Sequence, residues 1–320
     1  MSGRDSHLAS SGSLNSRAAL ASTSVAIVLA LLKTYAAWQT HSIAMLGSLA
    51  DTGLDLVASL VTLVAVRVAA QPADFQHRYG HGKAEALAAL FQVSLISVAA
   101  LGIMIRSIAR FGGGGEQSQA EYGIGVSIFA MVLTFALLGY QSYVIRTTRS
   151  VAISADNLHY RSDLALNGAV ILALVLEVYL HWHGVDALFG LAIGLWLAWG
   201  AWSTATHAID QLMDKEWPTE KVEQFLSVAS LHPELKGIHD LRTRTSGTHD
   251  FVQFHMWVDP GMTVAQAHEV MDEIEAKLRA QFPGLDILIH PDPEGHVDYD
   301  DPIAARAAED VVADLKAAGE

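Results

Sequence analysis

Long apolar stretches alternate with short polar segments over the first two thirds of the chain. Each stretch reaches the roughly 20 residues that a helix needs to cross the hydrocarbon core of a bilayer. The first stretch is not a cleaved signal peptide, because it lacks a strongly basic leader and similar stretches follow it. A soluble protein with large buried helices is the alternative, and consecutive segments of this length argue against it. We therefore predict six transmembrane helices, at residues 17–39, 43–69, 84–109, 120–145, 154–180 and 186–207.

The last third of the chain has the shorter pattern of a small globular domain. Pro218 suits the first turn of a helix. Thr263 and Gln266 have the spacing of a capping box for a second helix, which ends at Pro283. The predicted order αββαβ places two helices on one face of a three-stranded sheet in an α+β fold. We expect the helices near 218–231 and 263–282, and the strands at 238–245, 249–258 and 285–290.

Charge divides the chain at the same place. Residues 1–207 carry 11 basic and 11 acidic side chains, whereas residues 208–320 carry 9 basic and 23 acidic ones, so the net charge of −14 lies in the C-terminal part. The acidic balance argues against a nucleic-acid partner. The absence of cysteine excludes disulfides, thiolate metal sites and cysteine catalysis. We predict an N-terminal segment, a transmembrane domain, a metal-binding domain and a flexible acidic tail, at residues 1–16, 17–207, 208–294 and 295–320.

Basic residues in the loops set the predicted orientation in the membrane. The N-terminal segment and the second and fourth loops carry Arg or Lys, whereas the first and fifth loops carry neither. The third loop does not fit this alternation, because the basic residues Arg106 and Arg110 lie beside it. The balance predicts that both termini, and with them the acidic domain, lie in the cytoplasm.

Two pairs of ionisable residues lie inside predicted membrane helices, where charges are costly and usually functional. Asp51 and Asp55 lie four residues apart in the second helix, and His159 and Asp163 four apart in the fifth, so each pair shares one helix face. Three carboxylates and one imidazole suit a tetrahedral divalent metal such as zinc. Solvated or lysine-paired side chains at helix ends are the alternative. Lys33 lies near a helix end, where its side chain can reach the headgroups.

Two further groups of candidate ligands lie outside the membrane. Asp74, His77 and His81 in the second loop could bind a metal, although an ordinary polar loop explains them equally well. The C-terminal domain is rich in histidine, the commonest metal ligand, although exposed histidines are also common in soluble domains. Its strands and second helix could bring together the side chains of His239, His255, His268 and His290, followed by Asp292.

At these residues the chain resembles the cation diffusion facilitator (CDF) family, in particular its bacterial YiiP-like zinc transporters. The resemblance covers roughly residues 14–294 and rests on separate motifs in the right order. These are LADTGLD at 49–55, QPAD at 71–74, HRYGHGKAE at 77–85, ADNLHYRSD at 155–163, HDLRTR at 239–244, QAH at 266–268 and IHPDP at 289–293.

The resemblance implies a homodimer in the bacterial inner (plasma) membrane, with six membrane helices and a metallochaperone-like, ferredoxin-like cytoplasmic domain. It implies that Asp51, Asp55, His159 and Asp163 form the transport site. It implies a loop site of Asp74, His77 and His81, and a charge interlock of Lys83 with Asp214 at the dimer interface. It also implies a two-metal cytoplasmic site in which Asp292 bridges the ions, formed by His239, His255, His268, His290 and Asp292. Residues 295–320 have no counterpart in the family pattern.

The expected function is export of divalent metal ions, Zn²⁺ first and Cd²⁺ with it, in exchange for protons by alternating access. Protons and metal compete for the same ligands, and His159 is the natural proton carrier because histidine has an unperturbed pKa of about 6.5. Fe²⁺, Mn²⁺ or Co²⁺ as substrate is an alternative, as is a non-transporting membrane metal sensor or a channel. We expect no enzyme, because a zinc protease needs His-Glu-x-x-His and His268–Glu269 is followed by Asp272.

Overall fold

The computed structural model describes residues 3–40, 43–111, 124–180 and 185–296. The chain divides into two compact units. The helical unit is Ser11–Ile209, and the second unit contains Asp210–Glu320 together with Met1–Ser10. The predicted acidic tail lies outside the described residues beyond His296.

Long helices build the first unit, and each predicted membrane segment falls on one of them. The fourth predicted segment begins at residue 120, and its first four residues lie outside the described part of the chain. The helices extend beyond the apolar segments at several ends, because a helix can continue into polar sequence where its backbone bonds remain satisfied. Their bounds are α1 Gly3–Thr40, α2 Ile43–Ala69, α3 Ala84–Phe111, α4 Ile124–Thr148, α5 Val151–Leu180 and α6 Val185–Leu212.

Five of the six helices α1 to α6 are long and apolar enough to cross a membrane by this criterion. The sixth is α5, whose first half carries Asp156, Arg161 and Asp163. This is the helix on which the sequence predicts two of the membrane ligands. A polar helix among apolar ones is typical of a bundle that carries its function inside. The five spans are Ser10–Gln39, Asp51–Ala69, Ala84–Ala109, Phe129–Thr148 and Ala187–Leu212.

Small residues let the helices of this unit approach closely. Gly190 and Gly194 of α6 lie against Ser107 and Met104 of α3, where a side chain on either glycine would collide with its neighbour. Such close approach is typical of helix pairs in membranes. The outward surface is apolar, with many exposed large side chains. Trp199 and Trp202 are 70% and 75% exposed, as lipid-facing aromatic residues are expected to be.

The second unit has the predicted order αββαβ. Thr263 and Gln266 form the predicted capping box at the start of its second helix. Pro218 is the residue that precedes the first helix, with φ −55° and ψ 145°, rather than a residue of its first turn. The extended ψ removes Pro218 from the helix while its fixed φ still suits the entry. The bounds are α7 Thr219–Ala229, β1 Gly237–Ser246, β2 His249–Val258, α8 Val264–Gln281 and β3 Asp286–Pro293.

The three strands lie in the order β1-β2-β3, with β1 antiparallel and β3 parallel to β2. The inward face of β2 packs in the apolar core between sheet and helices, and it consists of Val252, Phe254, Met256 and Val258. The register pairs His239 with His255 and His255 with His290. Residues paired in this way are neighbours across a sheet. Three histidines from three strands therefore form one row.

Candidate metal sites

The first candidate site lies in the helical unit, where α2 and α5 bring Asp55, His159 and Asp163 together. The Nε2 atom of His159 lies 2.9 Å from Oδ1 of Asp55 and 3.9 Å from Oδ2 of Asp163. One ligand atom from each residue lies within 4.8 Å of the others. Ligand atoms around a tetrahedral zinc ion lie about 3.3 Å apart, given bonds of about 2.0 Å. Small side-chain movements would therefore bring all three atoms to bonding distance of one ion.

These three residues line a cavity of about 630 Å³ in the helical unit. Asp51, the fourth predicted ligand, lines the same cavity but does not belong to the close cluster. It lies one helical turn before Asp55, so its carboxylate faces the same side of α2. Lys33 also lines the cavity, and its Nζ donates a hydrogen bond to Oγ1 of Thr52 at 2.6 Å. Its ammonium group therefore points to a neighbouring helix and not to the headgroups that the sequence suggested.

The second candidate site is the loop between α2 and α3, where Asp74 contacts both predicted histidines. Its Oδ1 lies 3.4 Å from Nδ1 of His77, and its Oδ2 lies 3.4 Å from Nε2 of His81. Backbone N–H groups of His77 and Gln76 donate to Oδ1, and these hydrogen bonds lower the pKa of the Asp74 carboxyl. The Nδ1 atom of His81 is buried with no hydrogen-bond partner among the described residues. The three side chains offer one carboxylate and two imidazoles to a metal.

The third candidate site lies at the row of histidines in the C-terminal unit. Asp292 at the end of β3 is its centre, because Oδ2 lies 3.1 Å from Nε2 of His239 and 2.8 Å from Nδ1 of His255. The other oxygen, Oδ1, lies 3.3 Å from Nε2 of His290. A carboxylate whose two oxygens face different imidazoles can bridge two metal ions. The side chain of Asp292 is 8% exposed, so this carboxylate is shielded from water.

Burial keeps His239 ready to bind a metal. Desolvation lowers the pKa of His239 below its ordinary value, against the opposing effect of Asp292. The imidazole is therefore neutral at neutral pH, the form that coordinates metals. Its Nδ1 atom is buried without a hydrogen-bond partner among the described residues. A second carboxylate, which the sequence reasoning missed, belongs to this site, because Oδ2 of Asp240 lies 3.6 Å from Nε2 of His255.

His268 lies apart from its predicted group, and the predicted dimer interlock pairs residues of the two different units. His268 is exposed on α8, where its Nε2 lies 4.0 Å from Oδ2 of Asp272, and it is not part of the cluster around Asp292. Lys83 and Asp214, the predicted dimer interlock, belong to different units. Oδ1 of Asp214 lies 3.5 Å from Nη1 of Arg244 in its own unit. A role for these residues between protomers stays a prediction.

A buried polar network that the sequence reasoning missed lies beside the first site. Asp156, three residues before His159 on α5, is fully buried. Its Oδ1 accepts a hydrogen bond of 3.0 Å from Nε2 of Gln92 on α3, and its Oδ2 accepts one of 2.7 Å from Nε2 of Gln141 on α4. The same two amides donate to Thr62 on α2 and Ser22 on α1. Asp156 therefore joins α5 to four other helices through two glutamines.

Comparison with known proteins agrees with this arrangement along the chain. Residues 19–213 match the cation efflux transmembrane domain, and residues 217–294 match the cytoplasmic domain of cation efflux proteins. The cation-efflux pump FieF of Klebsiella pneumoniae is 41% identical over 286 residues, which cover 89% of this chain and 95% of that protein. FieF of Salmonella arizonae is 41% identical over 282 residues, with 88% and 94% coverage.

Solved structures match the C-terminal part. The metal-bound C-terminal domain of the CzcD transporter from Thermotoga maritima is 28% identical, with a TM-score of 0.24, and covers 25% of this chain and 93% of that domain. The two family matches and the pump relatives together span nearly the whole described chain. They confirm the resemblance and the fold predicted from the motifs, an integral membrane helical domain followed by an α+β domain. The chain belongs to the cation diffusion facilitator, or cation efflux, family of membrane transporters.

Proposed function

We propose that this protein exports divalent metal ions from the cytoplasm in exchange for protons by alternating access. Zn²⁺ is the proposed main substrate and Cd²⁺ the second. The donor set supports this choice, because imidazole and carboxylate without thiolate suit zinc. Fe²⁺, Mn²⁺ and Co²⁺ are the alternative substrates, since the same donors accept them and geometry and metal supply decide between them.

The contact between His159 and Asp55 carries the proposal. A hydrogen bond of 2.9 Å between an imidazole nitrogen and a carboxylate oxygen holds a proton between them. A metal that binds these two atoms must displace that proton, because both lone pairs are needed for coordination. Protons and metal therefore exclude each other at one place in the cavity. His159 is accordingly the proposed proton carrier, and Asp51, Asp55 and Asp163 are the proposed carboxylate ligands.

The proposal extends to the assembly and its place in the cell. The protein acts as a homodimer in the bacterial inner membrane with both termini in the cytoplasm. The cluster around Asp292 and the loop group around Asp74 hold structural or regulatory zinc ions on the cytoplasmic side. His268 is exposed and apart from the cluster in its own chain, so its proposed share in the two-metal site requires the partner subunit. Lys83 and Asp214 are the proposed interlock between the protomers.

Purified protein in sealed vesicles tests the transport proposal. With an imposed pH gradient, we expect Zn²⁺ to move against the proton flow, with proton flux proportional to metal flux. Zinc, cadmium, iron, manganese and cobalt are tested in turn with metal-sensitive and pH-sensitive dyes, and protein-free vesicles are the control. Zinc movement that is fast and independent of the proton gradient would instead indicate a channel, and binding without any flux would indicate a sensor.

A separate prediction concerns metal binding to the C-terminal cluster. Asp292→Ala removes the group that contacts three histidines, so we expect the full-length protein to bind fewer zinc ions per chain. The loss of zinc on acidification should begin below about pH 6.5, the ordinary histidine value, because burial lowers the pKa of His239 and delays its protonation. Equilibrium dialysis in an Asp55→Ala background measures both effects without the transport site.

His249→Ala is the control for this measurement, because His249 lies on β2, the strand that carries His255, but outside the cluster. It should bind as many zinc ions as its Asp55→Ala parent at every pH. An Asp292→Ala protein that binds as many ions as its parent would contradict the assignment of the cluster.

A further inference from the structure

A lysine side chain lies at the wall of the transport cavity. Nζ of Lys33 on α1 donates to Oγ1 of Thr52 on α2 at 2.6 Å. Thr52 is 1% exposed, and it follows Asp51 directly in the chain. Thr52 also lies three residues before Asp55, so the two side chains share one face of α2. The hydrogen bond therefore anchors an ammonium group at the helix that carries two of the proposed ligands.

The same cavity is lined by Lys33 and by all four proposed ligands, Asp51, Asp55, His159 and Asp163. A lysine near the end of a membrane helix ordinarily extends to the headgroups, where its charge is solvated. Lys33 instead extends to a neighbouring helix. A positive charge inside a membrane bundle is costly unless opposite charges lie near it. The three carboxylates that line this cavity supply those opposite charges.

We propose that Lys33 is a fixed counter-charge of the transport cavity, which weakens the hold of the carboxylates on the divalent ion so that the ion can leave. This inference rests on the proposed transport site. A transporter must bind its ion strongly enough to load it and weakly enough to release it. Like charges that line the same cavity of low dielectric repel each other, so the ammonium group opposes tight binding of a metal dication. Lys33 is thus a positioning residue for charge and does not itself ligate the metal.

The proposal predicts an unusual pair of kinetic changes. Lys33→Met keeps the length of the side chain and removes its charge, so the metal is held more tightly. We expect KM to fall on the order of tenfold and the maximal rate to fall with it, because release becomes slow. Lys33→Arg keeps the charge and should restore both values towards wild type. A purely structural role would lower the rate with KM unchanged or raised.

Zinc uptake into vesicles measures these values for wild type, Lys33→Met, Lys33→Arg and Thr52→Val. Thr52→Val removes the anchor and leaves the charge, so its KM should lie between those of wild type and Lys33→Met. If Lys33→Met does not fold, Lys33→Gln and Thr52→Val replace it, and an unchanged KM in both overturns the proposal. A KM that is unchanged or raised in Lys33→Met also overturns it.

Asp55→Ala, measured in parallel, separates this inference from the transport site on which it rests. If Asp55→Ala is inactive and Lys33→Met keeps the wild-type KM, the proposed role of Lys33 is wrong and the transport site stands. If Asp55→Ala transports at the wild-type rate, the site assignment fails, and the proposal for Lys33 fails with it.

Discussion

Asp55→Ala is expected to abolish metal transport. Asp55 is the only carboxylate within 3 Å of His159 in the described cavity, and its loss removes both a metal ligand and the acceptor that orients the imidazole. Loss of one charged ligand from a site in low dielectric costs several kcal/mol, and each 1.4 kcal/mol is about a factor of ten in affinity. We therefore expect zinc flux in vesicles to fall at least about a hundredfold, to the background of protein-free vesicles.

Asp55→Asn is the matched variant for this experiment. It keeps the size of the side chain and a hydrogen bond to His159, but its amide is a much poorer metal ligand than a carboxylate. If the role of Asp55 is ligation, both variants are inactive; if its role is to hold the helices together, Asp55→Asn retains activity. Asp51→Ala is expected to show the same loss, because Asp51 supplies the fourth ligand in the proposal. Wild-type flux in Asp55→Ala or in Asp51→Ala would refute the site.

The spacing of charges indicated which residues of the first candidate site share a helix face, for a physical reason. Residues four apart on a helix lie on one face, so the shared face of each pair can be read from a short segment of sequence. That the two faces meet, with His159 2.9 Å from Asp55, depends on the packing of α2 against α5. Spacing cannot tell which members of the two pairs approach most closely. Asp51 accordingly lies in the cavity wall and outside the close cluster.

In the C-terminal domain, too, features set within one segment were predictable, whereas features set by contacts between distant segments were not. The capping box predicted the start of α8, and alternation of apolar residues along β2 marks its inward face, because both patterns are local. The register that places His239, His255 and His290 in one row comes from pairing between strands. The sequence therefore suggested that these histidines could meet. It could not reveal that His268 lies apart from them in the same chain.

Side chains whose partners lie far away in sequence were the hardest to predict. The position of Lys33 near the end of its predicted helix indicated a side chain that reaches the headgroups. Its hydrogen-bond acceptor, Thr52, lies on a neighbouring helix and depends on how the helices pack. Asp156 lies inside the motif at residues 155–163, and its spacing of three from His159 does not show that its partners are on other helices. Its partners Gln92 and Gln141 are neutral residues on other helices. A glutamine inside a membrane helix was the available signal, since a buried amide needs partners there.

Asp156→Ala is expected to destabilise the helical unit. The substitution removes the acceptor of one hydrogen bond from each of Gln92 and Gln141, and both glutamines are almost fully buried. Hydrogen bonds between membrane helices contribute about 0.6 kcal/mol on average and up to about 1.7 kcal/mol each. We therefore expect the free energy of unfolding to fall by about 1–3 kcal/mol. Thermal unfolding of the detergent-purified full-length protein, followed by loss of monodisperse material, measures the change.

A competing effect makes the sign of this result informative. Asp156 is a fully buried carboxylate, and removing a buried charge can stabilise a protein when its desolvation cost exceeds its interactions. Asp156→Asn removes the charge but retains one acceptor oxygen, at the cost of placing an amide N–H against one glutamine N–H. If hydrogen bonding dominates, both variants are less stable than wild type, and Asp156→Ala is the less stable of the two. If desolvation dominates, both are more stable, and the network is not a stabilising element.

Transport measurements test whether Asp156 takes part in metal binding. Because it does not line the cavity and is not among the proposed ligands, the folded fraction of either variant should keep the wild-type KM for zinc. The maximal rate per folded molecule should fall, since the network joins the helix that carries His159 and Asp163 to the helices around it. A raised KM in Asp156→Asn at unchanged stability would instead make Asp156 part of the binding site, and the network would then connect to metal binding directly.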